Sequence, residues 1–235
     1  MDFYIKSFNC RFRKLKKSKQ IFFDEYFHFF NINYKNKLIN FNKIFNNKLP
    51  IIIDIGFGMD DNIINIVMNN IQYNFIGIEV YLPGIVKCLK KIIQYKIKNL
   101  KLIYYDVFFV LKNMIPNYSI KIIQLYFPDP WPKIKHQKRR LLKIDFIKII
   151  YSKLINNGIL YVITDCNNYK KSIISNIENL NKSYFSFKKS NCYKHIYENF
   201  NLLSLNTNFL NKAIEKKKNI YYIEYKKLNY LNKYF

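Results

Sequence analysis

From position 50 onward the chain alternates short, wholly apolar runs with stretches whose apolar residues recur every three to four positions. A run that is apolar on both faces reads as a strand buried between two layers, and the longer period reads as an amphipathic helix. Ile51 to Ile55 is the first such strand, followed by a glycine-bearing turn and a helix with the stripe Ile63, Val67 and Ile71. The alternation continues with a strand over Asn74 to Val80, a helix from Pro83 to about Tyr95, and a strand over Leu100 to Asp106. Next come a strand over Ile120 to Phe127, a helix around Asp145 to Leu154, a turn at Asn156, Asn157 and Gly158, and a strand over Ile159 to Thr164. Two late runs, near Phe185 to Lys188 and Ile220 to Lys226, are expected to close the sheet as an antiparallel pair. The fold class is therefore α/β: a doubly wound, Rossmann-like sheet of seven strands, mostly parallel, with an antiparallel closing strand.

Residues 1–45 show no clear period and are rich in aromatic and basic side chains, with Arg11, Arg13, Lys14, Lys16, Lys17 and Lys19 close together. They read as a basic N-terminal arm lying on a partner or on the domain, and residues 46–235 as one domain. At 235 residues and 50% hydrophobic content the chain can bury a core of ordinary size. Its formal charge of +25, from 40 Lys and Arg against 15 Asp and Glu, points to a polyanionic partner. Drift of the coding sequence toward Lys and Asn accounts for many lysines but not for so few acids. Cys10, Cys88, Cys166 and Cys192 lie far apart without metal-ligand spacing, so no metal is expected and the thiols read as reduced. No apolar run reaches the ~18 residues needed to span a bilayer, and the N-terminus lacks an apolar signal segment. A cytoplasmic protein without membrane contact is expected.

In an open α/β sheet ligands bind at the carboxyl ends of the strands, and five acids stand there: Asp54, Glu79, Asp106, Asp129 and Asp165. The turn Asp54-Ile-Gly56-Phe-Gly58, with Glu79 about twenty residues on, invites a dinucleotide reading. The third glycine is missing, however, and Asp54 would set a negative charge beside a pyrophosphate. S-adenosylmethionine, with a cationic amino group and no phosphate, fits better. Its ammonium would face Asp54, its ribose hydroxyls Glu79 and its adenine amine Asp106. Alone, Gly56 and Gly58 would also suit an ordinary strand-to-helix turn.

Three of the six prolines, the single tryptophan and two of the four arginines fall between Pro128 and Arg140. Each proline ring fixes its own φ and restricts the residue before it, so Asp129 sits in a rigid Pro-Asp-Pro frame. Guanine N7 carries an in-plane lone pair and can attack a sulfonium methyl without losing a proton. Such a reaction needs alignment, and a carboxylate near the purine that becomes cationic. Asp129 suits that role, and Lys133 could hold O6 or a phosphate. Trp131 either stacks on a base or packs within the protein. Lys135, His136, Lys138, Arg139 and Arg140 read as a phosphate-facing strip.

Gly-Phe-Gly after a carboxylate, Phe-Ile-Gly-Ile-Glu79-Val, the Asp106 strand end, Phe127-Pro-Asp129-Pro-Trp131, Lys133, the His-x-x-Lys-Arg-Arg run and Thr164-Asp165 together resemble the bacterial tRNA (guanine-N7-)-methyltransferase family. Ser7-Phe8 with Arg11 and Arg13 resembles that family's N-terminal arm, and Thr207-Asn208-Phe209-Leu210 its Thr-Lys-Phe-Glu segment. The resemblance implies the seven-stranded methyltransferase sheet and methyl transfer from S-adenosylmethionine to a variable-loop guanine, position 46, of tRNA. It implies that Asp54, Gly56, Gly58, Glu79, Asp106 and Asp129 lie on the cofactor side, with Asp129 also catalytic. Lys133, Asp165, Thr207, Asn208, Phe209 and Leu210 would meet the substrate. Family members are monomers or homodimers. The chain departs from the pattern at Asp60, where glycine is usual, at Asp54, in place of a longer Glu, and at Asn208 and Leu210, which lose a lysine and a carboxylate. A non-catalytic RNA-binding protein that keeps the fold is the alternative, with a methyltransferase acting on another nucleic acid behind it.

Overall fold

In a computed structural model, which describes residues 6–8, 15–190 and 213–228, the apolar runs become one seven-stranded sheet. Its strands are β1 (Ile51–Ile55), β2 (Asn74–Glu79), β3 (Leu100–Tyr104), β4 (Ile120–Tyr126), β5 (Leu154–Thr164), β6 (Phe187–Lys189) and β7 (Tyr221–Lys227). The spatial order is β3-β2-β1-β4-β5-β7-β6. β1 to β5 pair in parallel, and β7 runs antiparallel to both β5 and β6. The chain therefore reverses direction of travel across the sheet beside β1, and the crevice between the ends of β1 and β4 is the topological switch point where such sheets bind ligands.

Every residue of β1 and β2 is buried, because helices cover both faces. On one face α3 (Asn62–Met68) and α4 (Leu82–Gln94) pack through Ile63, Ile64, Val67, Ile85, Cys88 and Ile92. The other carries α5 (Val107–Asn113), α6 (Ile144–Lys153) and α7 (Asn167–Asn181), whose buried residues include Val110, Leu111, Phe146, Ile150, Ile173 and Ile177. The two interiors are separate apolar clusters divided by the sheet.

Several elements differ from the sequence expectation. Part of the basic arm is helix α1 (Lys17–Phe30), followed by the short α2 (Phe41–Phe45). Phe23, Phe27 and Phe30, at i, i+4 and i+7, pack against the α3/α4 cluster, and Phe23 stacks on Phe27 at 4.3 Å. The chain then bridges to β3, where Ile32 N donates to Leu102 O at 2.8 Å, so the outer strand of the sheet is covered. Helix α3 ends at Met68, and Ile71 is 77% exposed rather than part of the stripe. The expected turn at Asn156 to Gly158 is an irregularity inside β5: the pairing with β4 jumps from Leu154 to Ile159, and Asn157 takes φ 61°. Helices α5 and α7 had no sequence expectation: α5 is a short apolar run, Val107 to Leu111, without a helical period, and the apolar residues of α7 are diluted by Asn and Lys.

Candidate active site

The loop after β1 turns back over its own strand. Gly56 and Gly58 have φ of 73° and 61°, where an L side chain is strained. Gly56 N donates to Ile78 O at 2.8 Å, and Gly58 N donates to Glu79 Oε2 at 2.7 Å. Phe57, buried between them, lies over Gly77, whose missing Cβ would fall 2.8 Å from the ring. Helix α4 seals the loop from outside. A Cβ on Gly84 would come within 2.2 Å of Gly58 O, so only glycine permits this approach. Lys87 reaches from the same helix to Met59 O at 2.7 Å and to Asp61 at 3.0 Å.

Beneath the loop a cavity of about 660 Å³ is lined by Asp54, Gly56, Gly58, Asn62, Glu79, Tyr105, Val107, Tyr126, Phe127, Asp129 and Leu141, with Ser7 and Phe8 from the N-terminal segment. That volume is ordinary for a small-molecule site. Asp54 is 1% exposed, and burial pushes its pKa up to about 7; a hydrogen bond from Gln124 opposes the rise and the nearby charge of Glu79 adds to it. Gln124 Nε2 donates to Asp54 Oδ2 at 3.1 Å and Gln124 Oε1 accepts from Tyr126 OH at 3.1 Å. Asp54 Oδ1 is buried and has no hydrogen-bond partner among the described residues. Glu79 is held more tightly: Oε1 accepts from Val80 N at 2.6 Å and Tyr81 N at 2.8 Å, besides the bond from Gly58. Burial raises its pKa and these three N–H groups oppose the rise.

Asp129 projects from the loop after β4 and is open to the cavity, where desolvation raises its pKa from the ordinary aspartate value. Its frame is bracketed by two non-glycine residues in the left-handed region, Phe127 at φ 49° and Trp131 at φ 41°. Such conformations cost about 1–3 kcal/mol each and persist where the surroundings enforce them. Arg140 is the enforcing side chain. It is 3% exposed, donates through Nε to Pro130 O at 2.8 Å and through Nη2 to Asn168 Oδ1 at 2.6 Å, and lies 4.9 Å over the Tyr169 ring. The phosphate-strip expectation is therefore corrected for Arg140, which faces inward, because its guanidinium fork satisfies two acceptors at once, one in the loop and one at the start of α7. The short 3-10 helix Ile134–Arg139 carries Lys135 and Lys138 to the surface. His136 pKa is lowered by desolvation and then by the surrounding basic side chains. Trp131 neither points to the cavity nor packs in the core. Its Nε1 donates to Ser7 O at 3.0 Å and Arg139 lies 5.0 Å over its ring, which seats the N-terminal segment against the cavity.

The structure thus gathers Asp54, Gly56, Gly58, Glu79 and Asp129 on one cavity. Asp106 sits beside it and caps α5, accepting from Phe108 N at 2.9 Å, while its neighbours Tyr105 and Val107 form the wall. Lys133 is exposed outside the cavity, and Asp165 follows β5 paired with Lys218. Thr207, Asn208, Phe209 and Leu210 lie outside the described residues. The sequence reading missed Asn62, Gln124 and Gly84, and gave Arg140 a different role. Of the three missed, only Gln124 left a signal, as the lone amide in the otherwise apolar end of β4.

A family described as putative methyltransferase matches residues 48–223. A tRNA (guanine-N(7)-)-methyltransferase of Buchnera aphidicola subsp. Baizongia pistaciae is 41% identical over 189 residues, covering 80% of this chain and 78% of the relative. The chain belongs to the tRNA (guanine-N(7)-)-methyltransferase family. A second member, from Yersinia pestis (strain Pestoides F), is 34% identical over 80% of this chain and 79% of its own. At the level of fold alone, the 16S rRNA methyltransferase KamB aligns with TM-score 0.56 at 7% identity, over 82% of this chain and 95% of that one. Among the described residues no helix is long and apolar enough to cross a membrane.

Proposed function

We propose that this chain transfers a methyl group from S-adenosylmethionine to N7 of guanine in tRNA, at position 46 of the variable loop. The observation that carries the reading is the cavity itself: Asp54, Glu79 and Asp129 converge on one enclosure in a chain whose relatives bear that enzyme's name.

The cavity fits the cofactor on its own chemistry. Asp54 Oδ1 is a buried acceptor without a donor, and an ammonium supplies one. Glu79, fixed by three backbone N–H groups at the end of β2, keeps acceptor capacity for ribose hydroxyls. Asp106, Tyr105 and Val107 mark the adenine side. The bound cofactor supplies an electrophilic methyl on a cationic sulfur, open to attack by the N7 lone pair. Asp129 is not required as a base, because N7 has no proton to lose. Its carboxylate faces the positive charge that arrives on the purine, and a partly desolvated position makes that interaction stronger than it would be in water. Arg140, through Pro130, holds Asp129 where it acts. Lys133, Asp165 and the Thr207 to Leu210 segment are assigned to the guanine and its phosphates, and the exposed lysines to the tRNA backbone.

The test is methyl transfer from labelled S-adenosylmethionine to unmodified tRNA, with N7-methylguanine-specific cleavage of the product. Wild type should label a variable-loop guanine. Asp129→Ala should lose at least about a hundredfold in kcat, the usual scale for a charge-stabilising group. A folded wild-type protein that binds tRNA and transfers nothing would refute the proposal in favour of a non-catalytic RNA-binding role.

A further inference from the structure

Asn62 is the first residue of α3 and lines the same cavity. It is 4% exposed, and both its Oδ1 and Nδ2 are buried with no hydrogen-bond partner among the described residues. A side-chain amide carries two donors and an acceptor, and burying it unsatisfied is costly enough that proteins rarely do so without reason. The nearby Asp54 Oδ1 is the second orphan on this cavity. What the protein leaves open here is one anionic acceptor, one amide acceptor and two amide donors. A ligand that satisfies all of them presents donors and acceptors close together, and the match is strongest where the donor facing Asp54 is cationic and the acceptor facing the amide N–H is anionic. A zwitterionic α-amino-acid end does so, whereas a phosphate would be repelled by Asp54.

We infer that Asn62 is a cofactor-binding residue, its amide donating to the carboxylate of the ligand's amino-acid end while Asp54 takes the ammonium. The inference rests on the S-adenosylmethionine reading above and adds a residue to it. It also predicts a signature that a structural asparagine would lack. Since the amide has no partner in the free protein, removing it costs the free protein no hydrogen bond.

The experiment is isothermal titration of wild type, Asn62→Ala and Asn62→Ser with two probes. One is S-adenosylhomocysteine, and the other is 5′-methylthioadenosine, which shares adenosine and sulfur but lacks the amino-acid end. Thermal unfolding of the free proteins is measured alongside. Asn62→Ala should weaken S-adenosylhomocysteine roughly ten- to a hundredfold, the scale of one hydrogen bond to a charged group. It should leave 5′-methylthioadenosine unchanged and should not lower the Tm. Asn62→Ser, which keeps a donor, should recover part of the loss. Equal losses for both ligands, no loss for either, or a sharp fall in Tm would overturn the assignment, the last by marking the amide as structural. Failure of wild type to bind either probe would instead overturn the cofactor reading, and this assignment with it.

Discussion

Replacing Asp54 with asparagine should separate stability from binding in opposite directions. In the free protein the Asp54 carboxyl is buried and its pKa is raised from 3.8 to about 7, so folding favours the neutral form. That preference is fully present below the unfolded pKa, near 4, and is lost as pH rises through about 7. Above pH 7 the ionised carboxylate is carried at a cost whose upper bound, at 1.36 kcal/mol per pH unit, is about 4 kcal/mol. Asp54→Asn keeps the shape, cannot ionise, and should raise the Tm at pH 8 while changing it little at pH 4.5. Ligand binding runs the other way, because only the carboxylate pairs with an ammonium. With a free-state pKa of about 7, the ionised fraction is about one-tenth at pH 6 and one-hundredth at pH 5. The Kd for S-adenosylhomocysteine should therefore weaken about tenfold per unit below pH 7 and level off above it. Calorimetry at pH 6 in two buffers of different ionisation enthalpy should report release of nearly one proton on binding. Glu79 and Asp129 are also raised, so the variant assigns the slope: Asp54→Asn should bind weakly and without this pH dependence. A wild-type Kd that is flat between pH 5.5 and 7.5, or a variant that keeps the full slope, would refute the reasoning.

Three further outcomes follow from particular contacts. Arg140→Ala leaves Pro130 O and Asn168 Oδ1 without their donor in a buried site and should cost about 2–4 kcal/mol, read as a lower Tm, with kcat reduced because the Asp129 loop loosens; an unchanged Tm would mean the clamp is not formed in solution. Gly84→Ala forces a methyl against Gly58 O and should cost about 1–3 kcal/mol in chemical unfolding, with weaker S-adenosylhomocysteine binding because the glycine loop must move. Trp131→Phe removes the donor to Ser7, a bond of about 1 kcal/mol, and should speed tryptic cleavage at Lys6 about fivefold; identical cleavage rates would show that the latch does not hold the segment.

The strand set was legible because a strand between two helical layers needs apolar residues on both faces, and Ile51 to Ile55 and Asn74 to Glu79 carry that signature locally. Acids at strand ends were equally visible, since a residue that terminates an apolar run is exposed to whatever the crevice holds. The Pro-Asp-Pro-Trp block stood out by composition. Helix α1 was hidden because its Phe stripe is embedded in a uniformly aromatic and basic segment, and α7 because Asn and Lys dilute Tyr169, Ile173 and Ile177. Ile71 continued the helical period after the backbone had stopped following it. Periodicity reports which side of an element is apolar, not where hydrogen bonding ends.

The sequence by itself determined the layered α/β plan, the carboxylates at the strand ends and the rigid frame around Asp129, since each is a property of neighbouring residues. Only the tertiary structure decided the partners. Asp54 and Gln124 are 70 residues apart and meet because β1 and β4 pair in the register that sets them side by side; Arg140 turns inward because Pro130 and Asn168 await it, while the lysines around it remain in solvent. Asn62 and Asp54 share a cavity because the chain folds back at Gly56 and Gly58. Local spacing cannot encode such meetings: which polar groups are satisfied and which are left open for a ligand depends on burial from all sides at once, and burial exists only when the whole sheet and its helices have closed.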